Sequence, residues 1–133
     1  MAELAEIEYL SLARFRYALR KFLRFSEEAA RGAGVTPLQH QLLLAVRGFP
    51  GGAPSITDLA EQLQQRHHSV VELVDRAEQG GFVERSVDPS DARRHLVHLT
   101  GEGAGRLSDL YATNRAELRR FRREMSELLR ELE

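Results

Sequence analysis

Nine polar residues between Gln65 and Arg94 have the types and spacing to hydrogen-bond with the edges of nucleic-acid bases. Gln65, Arg66, His67, His68 and Ser69 open a helical stretch, Glu72 and Arg76 follow at one-turn steps, and Arg93-Arg94 lie beyond a turn sequence. Glutamine can pair with both polar groups on an adenine edge, arginine with those of guanine, and glutamate can accept from cytosine. The first turn of a helix adds free N–H groups and the positive end of its dipole, which suit phosphate. An arginine on a hairpin tip can enter a narrow A·T-rich minor groove, where the potential is most negative. Asp91, whose carboxylate phosphate would repel, is expected to hold the turn.

Other chemistries find little support. His67 and His68 are adjacent, so on a helix they point about 100° apart and do not chelate one ion. No third or fourth ligand is spaced for a metal, and neither a metal nor a cofactor is expected. Gly51-Gly52 and Gly80-Gly81 lack the lysine and the strand-to-helix setting of a phosphate-cradling loop. No motif sets a nucleophile beside a base and an orienting acid, so an enzyme is not expected. His40, alone beside an apolar face, reads as a packed or hydrogen-bonded residue.

The elements that would position these groups run from Ser55 to Thr100. Ser55 caps a first helix with Asp58 three residues on, and Leu59, Ala60 and Leu63 line one face. A second stripe, Val70, Leu73, Val74 and Ala77, ends at Gly80-Gly81, where a glycine can take the left-handed conformation that closes a helix. Two short helices so joined suit a helix-turn-helix. Strand signals follow at Phe82-Val83 and at Leu96-Val97 with Leu99, separated by a loop from Val87 to Arg94 with turn chemistry at Asp88-Pro89-Ser90. The fold class expected is mainly α, an α+β winged helix-turn-helix with a two-stranded wing.

In unbroken register, Leu59-Ala60, Val74-Asp75-Arg76, Gly81-Phe82-Val83-Glu84-Arg85, Asp88-Pro89-Ser90-Asp91-Ala92-Arg93 and Leu99-Thr100 with Gly103 follow one pattern. That pattern resembles the MarR family of bacterial winged-helix transcription regulators, over roughly a third of the chain. The resemblance implies DNA contacts from the second helix and the wing arginine, carried by position onto His67, His68, Ser69 and Arg93. It also implies a homodimer on double-stranded DNA and a small-molecule effector, often anionic or aromatic, held between dimer lobe and winged helix. Phe15, Leu19, Phe22 and Leu42 are the candidate walls of that pocket. Five positions depart from the family pattern: Gln64 stands where the turn usually has glycine, Gln65 where an apolar residue is usual, Arg66 where serine or threonine caps the reading helix, Glu72 near a frequent arginine and Ala77 near a frequent leucine.

The remaining chain supplies the frame. At 133 residues, 42% hydrophobic and 29% charged, it is expected to form one globular domain, 1–133. Residues 3–31 form a long helix with Leu12, Phe15, Leu19, Phe22 and Ser26 at three-four spacing, and Arg14, Arg16, Arg20, Lys21 and Arg24 on a solvated basic face. Thr36-Pro37-Leu38-Gln39 opens another helix with a cap, a first-turn proline and a capping box. The winged helix is assigned to 36–99. Beyond Thr100, Leu107, Tyr111, Asn114, Leu118, Phe121, Met125, Leu128 and Leu132 form a heptad-like seam, so 100–133 and the first helix are expected to build a dimerisation lobe. This tail is short for the resembled family, and one long helix per chain is expected.

Without an apolar run of ~20 residues, no bilayer span is expected. Cysteine is absent, and a cytoplasmic protein fits. Net charge is −1, and from Gln64 to His98 five arginines face six acids. DNA affinity must therefore come from where charge sits, helped by His67, His68, His95 and His98, which can gain charge near phosphate; affinity higher at pH 6 than at pH 8 is the expectation. The same acidic balance supports the rival reading, a winged-helix dimer that acts as a protein-interaction module with little DNA binding.

Overall fold

Two long helices, α1 (Ala2–Gly32) and α5 (Gly101–Glu131), lie antiparallel against each other and carry a small winged helix at one end. The computed structural model describes residues 2–131. Ser11 Oγ donates to Glu131 at 3.0 Å, Lys21 pairs with Glu124 at 3.4 Å, and the Phe22 and Phe121 rings stack 4.9 Å apart. Along the inward side of α1, Ser11, Phe15, Ala18, Phe22 and Phe25 follow a three-four alternation, with Leu19 and Ser26 half-buried beside them and Ala30 fully buried near its end. Leu12, expected in this stripe, is half exposed because the seam passes through its neighbour Ser11.

The expected α5 seam divides between two faces. Leu107, Asn114 and Leu128 are buried and Phe121 half-buried, yet Tyr111 and Leu118 remain 61% and 41% exposed. Leu110 is buried in place of Tyr111, Glu117 takes an inner position where Leu118 was expected, and Met125 is half-buried beside Glu124. The polar partners explain the rotation, since Glu124 must face Lys21 across the pair. Leu132 lies outside the described residues.

Between the long helices come α2 (Pro37–Arg47), α3 (Ile56–Leu63), α4 (His67–Gln79) and a hairpin of β1 (Val83–Asp88) and β2 (Asp91–Leu99). Thr36 and Gln39 complete the capping box of α2, and Ser55 and Asp58 that of α3, each satisfying two otherwise orphaned N–H groups. Leu42 and Leu43 of α2, Leu59 of α3, Val70, Val74 and Ala77 of α4 and Val97 of β2 meet in one fully buried core. Burying side chains of this size stabilises by about 1.5–3 kcal/mol each, which is what aligns α3, α4 and the wing on α2.

The wing is longer than its sequence signals. Strand pairing continues from Val83↔Leu99 to Val87↔His95, and after an irregularity Asp88 opposes Asp91, leaving Pro89-Ser90 as the turn. Most of the expected loop is thus strand, because backbone pairing holds polar residues that carry no apolar signal. Phe82 lies outside β1, buried beneath the start of α5. Its carbonyl accepts from Thr100 N–H at 3.0 Å. Thr100 Oγ1 accepts from Gly103 N–H and caps α5. A Cβ on Gly103 would lie 2.0 Å from the Phe82 carbonyl oxygen, so glycine is required there by close approach.

Candidate nucleic-acid interface

Gln64 joins α3 to α4 in the left-handed region at φ 51°, the only described non-glycine residue with positive φ. Its side chain donates back to the Glu61 carbonyl at 2.8 Å, which helps hold a conformation that glycine adopts without strain. Left-handed backbone costs a residue with a Cβ about 1–2 kcal/mol, against about 0.5–1 kcal/mol of extra chain entropy for glycine. Gln64→Gly is therefore expected to raise the melting temperature by about 2–4 °C, read by thermal unfolding; a lower melting temperature would show the side-chain hydrogen bond to dominate.

Arg66 stands at the N-cap of α4, extended at φ −70° and ψ 149°, and no side chain caps the helix. The first-turn N–H groups are left for an external acceptor. Gln65, Arg66, His67 and His68 are exposed and Ser69 is partly covered. By helical spacing His68, Ser69, Glu72 and Arg76 share the side opposite Val70, Val74 and Ala77, while His67 falls on another side, in line with Glu78. Glu72 and Arg76 are exposed.

The pairing of charge resolves the acidic balance of this segment. Arg85 on β1 reaches back to Asp75 and Glu78 on α4, and its backbone N–H donates to Glu78 at 3.3 Å. Arg94 turns away from the wing tip: its guanidinium meets Asp58 at 2.9 Å and lies 3.9 Å from Asp88. Asp88 and Asp91 also accept from the N–H groups of Ser90 and Arg93, at 2.8 and 3.0 Å, which forms the tip. Among the described residues Arg66, Arg76 and Arg93 make no ion pair, and Glu72 is the one acid of α4 that makes none either. Of the five arginines, then, two neutralise acids and three face outward.

Arg94 is placed to position the wing. β2 also touches the segment ahead of α3, where Val97 N–H donates to the Pro54 carbonyl at 2.9 Å. Exposed pairs such as Arg94–Asp58 contribute under about 1 kcal/mol. Arg94→Ala is expected to leave the melting temperature within about 4 °C while loosening the tip, seen as faster amide exchange from Asp88 to Arg93.

Asp58 titrates below the ordinary carboxylate range. The Ser55 backbone N–H is the largest cause, opposed by desolvation and followed by the Ser55 side chain and Arg94. With the folded value lowered, the stabilisation is full above the unfolded value of 3.8 and is lost as pH falls through the folded one. Wild-type melting temperature should therefore fall below about pH 4, and Asp58→Asn should flatten that acid limb. An identical limb in both proteins would assign it to other carboxylates.

Away from the reading helix, a groove of about 770 Å³ opens between α1, α2 and α5. Phe22, Leu23, Leu44, Tyr111 and Leu118 line it, with His40 and Arg47 on its α2 side. Of the four candidate pocket residues only Phe22 lines it. Leu42 is fully buried in the core, and Phe15 and Leu19 lie outside the lining. Asn114 Nδ2 donates to the Leu110 carbonyl at 2.7 Å, but its Oδ1 is buried with no partner. Burial lowers the His40 pKa from its ordinary value and so favours neutral imidazole.

Sequence reasoning did not single out Arg85 or Asp58 as parts of the site. Asp58 was visible only as a capping partner of Ser55 and Arg85 only within the family pattern; their pairing needs the wing folded back onto α3 and α4, which spacing along one element does not show.

Residues 33–94 match the model of the MarR family. The chain is 29% identical over 113 residues to a protein assigned to transcriptional regulation of the hcr operon in Thauera aromatica, covering 80% of this chain and 67% of that protein. It is 27% identical over 94 residues to the HTH-type transcriptional repressor MdtR of Bacillus subtilis, covering 71% of this chain and 59% of the relative. The chain thus spans about two thirds of these relatives' length or less. Among solved structures, a cysteine-to-serine mutant of MarR from E. coli complexed with operator DNA aligns with TM-score 0.66 and 25% identity, over 80% of this chain and 75% of that one.

Proposed function

The chain belongs to the MarR family of transcription regulators, and from that premise we propose that it binds double-stranded operator DNA as a homodimer and represses transcription in the cytoplasm. Each protomer lays the start of α4 in a major groove and the Arg93 tip over the adjoining minor groove. Helices α1 and α5 form the dimer lobe. Twofold symmetry then sets a pseudo-palindromic site with half-sites about 10 base pairs apart.

One observation carries this reading: α4 begins without a side-chain cap, and Arg66, Arg76 and Arg93 are exposed and make no ion pair among the described residues, whereas Arg85 and Arg94 are held by acids of the protein itself. Retention of a random duplex at low salt, lost steeply as salt is added, supports it. No retention even at low ionic strength would favour a protein-interaction module instead. The proposed effector is a small aromatic molecule in the α1–α2–α5 groove, carrying a donor for Asn114 Oδ1. Release of bound duplex on titration with phenols tests that part, and release that persists in Asn114→Leu would remove the assigned hydrogen bond. In this reading no described helix needs to enter a bilayer, and none is long and apolar enough to cross one.

A further inference from the structure

The protein's own cations leave one acid of α4 free. Asp75 and Glu78 are held by Arg85 of β1, whereas Glu72 is exposed and makes no ion pair among the described residues. Arg76 stands four residues on, the spacing at which glutamate and arginine attract along a helix, and His68 four residues back. Neither comes within ion-pair distance of Glu72. Helical spacing sets Glu72 opposite the buried Val70, Val74 and Ala77, on the side shared with His68 and Arg76. It lies about 7.5 Å along the axis from His67, so a major groove ~12 Å wide still encloses it.

A free carboxylate on a surface that meets phosphate weakens binding to every duplex. Only an amino group aimed at it offsets that repulsion. The major groove offers two, cytosine N4 and adenine N6. Adenine sets its N7 acceptor beside the amino group, guanine shows two acceptors, and thymine shows an acceptor and a methyl group. Cytosine alone presents a donor with no acceptor on the same base.

We propose that Glu72 is a specificity-determining residue of the reader, accepting from a cytosine N4 amino group at one fixed position in each half-site. The proposal rests on the DNA-binding reading above and assigns the base that this side chain selects. Repulsion and attraction act together here. Glu72 weakens binding to sequences that lack the cytosine, and so widens the gap between the right site and the wrong ones. Glutamine, of the same shape, carries a donor as well as an acceptor and matches adenine N6 and N7 instead.

Selection from a random duplex pool by wild type, Glu72→Gln and Glu72→Ala tests it, with folding checked by circular dichroism. Wild type should enrich cytosine at one position in each half-site. Exchanging that cytosine for thymine in the enriched duplex should lower affinity by about tenfold per half-site. Glu72→Gln should move the enrichment to adenine at that position and leave the others unchanged. Glu72→Ala should lose the preference there and hold random duplex at low salt more tightly than wild type. The same base at every position in wild type and both variants, or no tighter hold on random duplex by Glu72→Ala, would overturn the assignment while leaving DNA binding in place. A wild type that enriches no sequence overturns the assignment as well. One that also holds no duplex at low ionic strength overturns the DNA-binding reading with it.

Discussion

Arg66→Glu/Arg93→Glu is expected to weaken binding to duplex DNA by about 100-fold or more at moderate salt. Both guanidinium groups are exposed and carry no ion pair among the described residues, so their removal breaks no described contact. Each would be lost from a surface where one arginine contact is worth about 1–3 kcal/mol, and each new carboxylate adds repulsion from phosphate. The melting temperature should stay within about 2 °C, because exposed substitutions away from special features change stability little. A milder pair, Arg66→Ala/Arg93→Ala, removes four arginines from the dimer and should flatten the dependence of log affinity on log salt by up to about four units. Arg94→Ala should cost less than Arg93→Ala, since Arg94 faces Asp58 in the protein. Unchanged affinity in the double reversal would remove α4 and the wing tip from the DNA contact.

Gly103→Ala is expected to cost about 3 kcal/mol, the upper part of the range for overpacking, and to lower the melting temperature by about 10 °C. The obstacle is the Phe82 carbonyl oxygen, 2.0 Å from where the methyl group would sit. That carbonyl is fixed by the Thr100 N–H, and Phe82 itself is buried in the core. Neither a rotamer change nor a small breathing motion clears a backbone atom, so the start of α5 must move off the winged helix. Arg106 moves with it, and its guanidinium holds the Ala33 carbonyl and lies 5.8 Å over the Phe82 ring. The substitution thus loosens the joint between dimer lobe and reader, and DNA affinity should fall along with stability. Gly105→Ala, two residues on with open space at its Cβ, is the control and should be neutral or stabilising. Equal melting temperatures for both variants would contradict the close approach.

How much of this was legible beforehand follows from the range over which each cause acts. Capping boxes at Thr36 and Ser55 are local chemistry, and both formed as their spacing predicts. The stripe Val70, Leu73, Val74 and Ala77 is a periodicity within one helix, and all four residues are buried. Gly81 adopts φ +80°, as the end of α4 requires. Properties set between elements were not legible. Arg94 reads as a basic tip residue until the fold brings Asp58, 36 positions earlier, within 2.9 Å. Leu42 reads as a candidate ligand wall until packing encloses it on every side. The α5 seam rotates because Glu124 answers Lys21 on another helix, a demand invisible in the seam itself. Gly103 was visible as part of a family pattern, but its reason is the Phe82 carbonyl in the connection between α4 and β1.

Selection of bound sequences from a random duplex pool, followed by footprinting of the enriched duplex, tests the central claim most directly. A symmetric protein carrying two α4 helices predicts two related half-sites about 10 base pairs apart, centre to centre, with protection lost on raising salt. An enriched site with one unrepeated element, or a pool with no enrichment even at low ionic strength, would contradict it.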